Sequence, residues 1–253
     1  MLRSFNCEYC GRPCSSHAPH AKFCSKQCAD RSRNIHSDEP VSDLRIFSKL
    51  SQGEREAILL GEDERFKVVC FDFEATHLKA NVGRILCCSF KPLGADTYTF
   101  SALEPRFRKA DVYDDGALAL AIIEELEHFD ILIGWNSKQF DVKFINARSM
   151  QAGHRTKDKQ YHVDGMWSWR SKAAAWSGLA AVQQFIDSGG AEKTSVKWDQ
   201  WMRAIGWDQS LRESAMAEII HHCELDVVVL EEVYKKLVEA NVIRSIRADG
   251  GVL

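Results

Sequence analysis

The chain has 253 residues, 45% of them hydrophobic and 27% charged, with a formal net charge of −3. Those values fit a globular protein of one large domain, or one medium domain and one small. They exclude a global basic field, so any nucleic-acid surface must be a local patch or use metal to meet phosphate. No apolar run approaches the roughly 18 residues that span a bilayer. The opening MLRSFNCEYCGR lacks the apolar stretch of a secretory signal. No membrane partner is expected, and the expected location is cytoplasmic.

Residues 1–34 are cysteine-rich and basic. The chain holds nine cysteines, an odd number, and five fall between residues 7 and 28. That crowding reads as metal binding in a reducing compartment rather than as a disulfide framework. Cys7-x₂-Cys10 and Cys24-x₃-Cys28 supply four thiolates for one structural Zn²⁺, with Cys14, His17 and His20 as alternative ligands. The stretch FCSKQCADRSRN resembles the second half of treble-clef-like zinc modules. Arg3, Arg12, Lys22, Lys26, Arg31 and Arg33 make this segment a candidate grip on a nucleic-acid backbone or a docking point for a protein partner.

Residues 35–65 are polar, with one helical pattern around Leu44 to Leu60, and read as a linker or packing arm. The main domain, 66–253, opens with a strand over Lys67–Phe73. Two further strands follow at Arg84–Phe90 and Thr97–Phe100. Ala117, Leu120, Ile123 and Leu126 space a helix over Gly116–His128. Asp130–Ile133 reads as a short buried strand, Lys138–Ala152 as a helix and Tyr161–Val163 as a strand. Helical segments follow at Gly178–Ile186 and Lys197–Ile205. The last helix runs from about Ser210 to Ala240, with Ser210 and Glu213 in a capping-box pattern. Three strands, then alternating helices and strands, then helices, predict an α/β fold with a mixed sheet flanked by helices.

Three segments carry acids in unusual settings. VVCFDFEAT ends an apolar strand in Asp72 and Glu74, which share one face because side chains alternate. Two like charges that close repel unless a cation lies between them. In IGWNSKQFD a buried strand stops at Gly134 and Asp141 falls in the first turn of the next helix. In HHCELDVVVL, Asp226 sits among apolar neighbours, so a buried position would require a partner or a metal.

FDFEAT, GWNSKQFDVKFI and HHCELDVVVLEEVY resemble the three motifs of the DEDD 3′–5′ exonuclease superfamily, over roughly residues 66–240. The second and third motifs look most like the branch related to proofreading domains of family-B DNA polymerases. YHVD before GMW is similar to the strand between those motifs. The resemblance implies a ribonuclease H-like fold and four ligands, Asp72, Glu74, Asp141 and Asp226, for two Mg²⁺ or Mn²⁺ ions that clamp the scissile phosphate. It also implies a water-assisting residue on the last helix. His222 stands four residues before Asp226 and matches the Tyr-Cys-x-x-Asp pattern, because Cys223 follows it. His221 stands five before, the spacing of the histidine subclass.

Trp135, Asn136 and Phe140 can contact a terminal nucleotide, although core packing is an equal reading for the aromatics. Lys193 and Lys197 can meet phosphate or face solvent. Asp164 reads as a structural acid. The expected function is a metal-dependent 3′–5′ exonuclease acting on DNA or RNA, with single-stranded 3′ ends as substrate. A phage or prokaryotic accessory role is expected. A nucleic-acid-binding adaptor with little catalysis and a structure-specific endonuclease are the alternatives.

Overall fold

The computed structural model describes residues 3–6, 13–16, 21–22, 44–107, 114–153, 159–187, 190 and 194–250. The chain divides into two compact units, Met1–Ile46 and Phe47–Leu253. In the first, β1 (Arg3–Asn6) and β2 (Pro13–Ser16) pair antiparallel, with Phe5 opposite Cys14. Cys7, Cys10, Cys24 and Cys28 lie outside the described residues, as do His17 and His20.

A 3-10 helix at Leu44–Lys49 leads to α1 (Gln52–Leu59). Ser51 starts α1 with a capping box: its hydroxyl accepts from the Glu54 N–H, and Glu54 accepts from the Ser51 N–H. The sheet of the second unit takes β3 (Val68–Ala75), β4 (Ile85–Pro92), β5 (Tyr98–Ser101), β6 (Ile131–Gly134), β7 (Lys159–Asp164) and β8 (Arg247–Gly250) in the order β5-β4-β3-β6-β7-β8. β3, β6 and β7 run parallel, whereas β4, β5 and β8 pair antiparallel with their neighbours. The parallel connections are helical: α2 (Gly116–Leu126) precedes β6 and α3 (Asp141–Gln151) follows it. After β7 come α4 (Gly165–Arg170), α5 (Leu179–Ile186), α6 (Trp198–Arg203) and the long α7 (Gln209–Glu239).

Alternation along β3 divides its environment. Val69, Phe71 and Phe73 pack with Ile122 and Ile123 of α2 and Phe144 and Ile145 of α3 in one buried layer. Each fully buried aliphatic or aromatic side chain there is worth about 1.5–3 kcal/mol. The opposite face of the sheet meets α7, where Met216, Ile219 and Cys223 pack against Leu86 and Cys87 of β4. The Tyr234 hydroxyl donates to the Leu59 carbonyl at 2.8 Å, which ties α1 to the far end of α7.

From β3 onward, element identities follow the sequence pattern with three differences. β3 continues past Phe73 to Ala75, because β4 keeps pairing with it through Glu74 opposite Cys87 before the register shifts between Glu74 and Ala75. The cap of α7 is Asp208, not Ser210: the Leu211 N–H donates to Asp208 Oδ1 at 3.0 Å, and Ser210 already lies inside the helix. α4 and β8 carry no clear apolar period of their own. α4 forms because the Asp164 side chain accepts from the Trp167 N–H.

Candidate functional site

Asp72 and Glu74 lie on the α7 face of β3, half-buried, with Phe73 buried on the opposite face. The register shift next to Glu74 is a bulge-type irregularity of the kind that re-aims a strand end. Asp141 is the first residue of α3 and only 4% exposed. Burial, then the neighbouring Asp72 charge, pushes its carboxyl well above the usual carboxylate range, against opposing backbone hydrogen bonds from Asp141 and Phe73. Asp141 is thus brought beside Asp72 from a segment about seventy residues away in sequence.

α7 delivers the rest. Asp226 is 6% exposed, and His222 sits one helical turn before it on the same face. His222 Nε2 lies 3.6 Å from Glu74 Oε1 and 3.9 Å from Asp226 Oδ2. Its other ring nitrogen, Nδ1, shares a 2.8 Å hydrogen bond with Thr194 Oγ1. His221, about 100° further round the helix, is exposed. Cys223 is fully buried beside Asp72, with Sγ 3.4 Å from its carbonyl oxygen. Burial, before its Cys87 and acidic neighbours, raises that thiol's pKa well above the ordinary value, so Cys223 remains a thiol. A polar chain fixes the rotation of α7: Ser89 Oγ meets Thr99 Oγ1 at 2.8 Å, and Thr99 Oγ1 donates to Glu224 Oε1 at 2.8 Å.

The turn between β6 and α3 orients Asp141. Gly134 leaves room for Ser137, whose Oγ would sit 2.2 Å from a Cβ there. Asn136 adopts a left-handed φ of 62°, which Asn tolerates better than most residues. The Asp164 carboxylate accepts from the N–H groups of Asn136 and Lys138, both at 3.1 Å, and clamps the turn to the end of β7. Trp135 donates Nε1–H to the Ser177 carbonyl at 2.8 Å. Phe140 stacks on Phe73 at 5.3 Å between ring centres, so it is part of the apolar layer. Lys197 is exposed at the start of α6, and Lys193 lies outside the described residues.

Sequence reading missed Thr194, which gives no signal in a loop with no periodicity. It also missed the Ser89–Thr99–Glu224 chain, in which each residue is an ordinary strand or helix position. Only the pairing of Asp72 with Ser89 across β3 and β4 places that chain at the site.

A family model of the RNase_H superfamily matches residues 69–238, well over half of the chain. The chain belongs to the RNase_H superfamily. No curated protein matches it at a significant level. Among 248 solved chains that match is the family B DNA polymerase from the hyperthermophilic archaeon Pyrobaculum calidifontis. It is 14% identical with a TM-score of 0.53, over 70% of this chain and 25% of that one. At that identity the likeness is one of fold, and the chain spans a quarter of the polymerase's length.

RNase_H-superfamily membership accords with the mixed sheet flanked by helices. Among the described residues no three His, Cys, Asp or Glu side chains form a group tight enough to be a preformed metal site. The donor chemistry nevertheless suits hard cations: Asp72, Glu74, Asp141 and Asp226 offer carboxylate oxygens, and the adjacent Cys223 offers no thiolate. Among the described residues no helix is long and apolar enough to cross a membrane.

Proposed function

We propose that this RNase_H-superfamily chain is a 3′–5′ exonuclease of the DEDD type that hydrolyses phosphodiester bonds in single-stranded DNA or RNA. The supporting observation is the meeting of His222 Nε2 with Glu74 and Asp226, 3.6 and 3.9 Å away, beside an Asp141 that feels the Asp72 charge. The four carboxylates would hold two Mg²⁺ or Mn²⁺ ions, which supply charge neutralisation and polarise the scissile phosphate. The chain's own residues do the rest. His222 Nδ1 shares a hydrogen bond with Thr194 Oγ1; in the tautomer that donates Nδ1–H to that hydroxyl, the Nε2 lone pair faces the acid cluster, where it takes a proton from the attacking water. Asp164 holds the turn that fixes Asp141.

Residues 66–253 are the nuclease domain and 35–65 the packing arm, in keeping with the Leu59–Tyr234 hydrogen bond. Residues 1–34 form a zinc module on Cys7, Cys10, Cys24 and Cys28. The module offers nucleic acid or a protein partner a basic surface, and the setting is cytoplasmic. Metal analysis of fresh protein should return one zinc per chain; none removes the module.

The deciding experiment incubates 5′-labelled single-stranded DNA and RNA with Mn²⁺, with chelator, and with the Asp72→Asn variant. A ladder shortening from the 3′ end, lost in both controls, is expected. Cuts in closed circular substrate would assign an endonuclease instead. Binding with no metal-dependent loss of substrate would leave an adaptor.

A further inference from the structure

A cavity of about 480 Å³, within the size of small-ligand sites, opens beside the acid cluster without including any of its four acids. It lies at the same edge of the sheet, one strand along: Asp164, which clamps the Asp141 turn, forms part of its wall. Lys138, Lys172 and Arg244 line it from the β6–α3 turn, from the end of α4 and from the segment after α7. These three cations face one carboxylate, Asp164. His162 also lines the cavity but adds no charge, because burial and then the Lys138 charge lower its pKa to about 3.

The charged donors on the wall are these three side chains, with the Ser245 hydroxyl beside them. The hydroxyls of Ser168 and Ser171 already donate to the carbonyls of Asp164 and Ser168, at 3.0 and 2.8 Å. Arg244 uses Nε on the Asn241 carbonyl, and its terminal NH₂ groups form the fork that suits phosphate oxygens. At the rim stands Trp167, 53% exposed, a face for stacking. Cations for a backbone beside an exposed aromatic make the pattern of sequence-tolerant single-strand binding.

We propose that this cavity holds the single-stranded polynucleotide behind its reacting end, with backbone phosphate on Lys138, Lys172 and Arg244 and a base on Trp167. The assignment rests on reading the acid cluster as a nuclease site. It makes the substrate a strand several nucleotides long, because the clamp and the cut occupy neighbouring positions on one edge.

The test compares wild type with a Lys172→Glu/Arg244→Glu double variant and with Trp167→Ala. All three positions are exposed, so folding is checked simply by circular dichroism. Binding of a labelled strand of roughly twelve nucleotides is followed by fluorescence anisotropy in Ca²⁺ across a salt series. Charge reversal should weaken binding about tenfold or more and reduce the salt slope by roughly 1.4, about 0.7 for each cation removed. Trp167→Ala should weaken it about fivefold or more. Turnover of a dinucleotide, which has no backbone phosphate behind the scissile one for the clamp to hold, should stay within about twofold of wild type. Affinity within about twofold of wild type and an unchanged slope in the double variant overturn the clamp. Failure of the nuclease reading looks different: wild type binds the strand with the expected slope but leaves it intact in Mn²⁺.

Discussion

Replacing His162 should change how the stability of the fold depends on pH. The ring is 1% exposed, tilts against Phe71 at 5.9 Å between centroids, and shares a 2.8 Å hydrogen bond between Nε2 and Ser137 Oγ. Burial, then the Lys138 charge, lowers its pKa to about 3, whereas an unfolded histidine titrates near 6.5. Between those values the unfolded chain binds a proton that the native chain refuses. Stability is therefore fully present above about pH 6.5 and falls by about 1.4 kcal/mol per pH unit below it, until the native ring protonates near 3. From pH 7.5 to 5 this group alone removes about 2 kcal/mol. His162→Gln keeps a hydrogen-bonding group for Ser137 without the titration. Urea unfolding followed by fluorescence of the seven tryptophans gives both stabilities at each pH. Titrations shared by both proteins cancel, so the wild-type advantage over His162→Gln should shrink by about 2 kcal/mol across that range. A difference constant to within about 0.5 kcal/mol would refute the reasoning, because His162 would then protonate within the native state.

The two histidines of α7 should separate kinetically. His222→Gln should lower kcat by about 10²–10⁴-fold, the range for a lost general base, and His221→Gln by no more than a few-fold. Equal small losses would mean that neither assists the water. Asp115 accepts from Arg148 Nε at 2.8 Å and from the Ile85 N–H at 2.7 Å, and so joins α3 to the start of β4. Asp115→Ala leaves that half-buried guanidinium with only the Ala80 carbonyl and Gln151 as partners and the buried Ile85 N–H without an acceptor, and should cost about 3 kcal/mol, a Tm drop of roughly 6–12 °C by thermal melt. Glu231 is buried, 7% exposed; its desolvation is outweighed by hydrogen bonds from Lys235, Lys91 and the Gly94 N–H, which lower its pKa. Its contribution is present above the ordinary carboxylate range and lost as pH falls through the lowered value, so Glu231→Gln should flatten acid unfolding. Cys70, Cys87, Cys88 and Cys223 are buried thiols, and peptide mapping after brief alkylation should find them unlabelled until denaturant is added.

The sequence by itself determined the elements and most of the candidate site. Alternation along β3 placed Asp72 and Glu74 on one face, and the apolar run around Asp226 marked it for burial. Periodicity reports which side of an element is apolar, and that is a local property. It could not say which neighbours an element meets, because pairing across the sheet and the rotation of a helix are settled by contacts distant in the chain. So the sequence offered both His221 and His222, favouring His222 only through the Cys223 that follows it. The tertiary structure separated them, because Cys223 packing against Asp72 and Glu224 bonding to Thr99 set the rotation that turns His222 inward. Phe140, a candidate for stacking on a nucleotide, is placed instead against Phe73, since the start of α3 lies over the apolar face of β3. Asp164 read as a structural acid, yet its clamp on the Asp141 turn depends on β6 and β7 lying side by side. The cavity beside it gathers cations from three segments over a hundred residues of chain, and only the folded sheet edge brings them together.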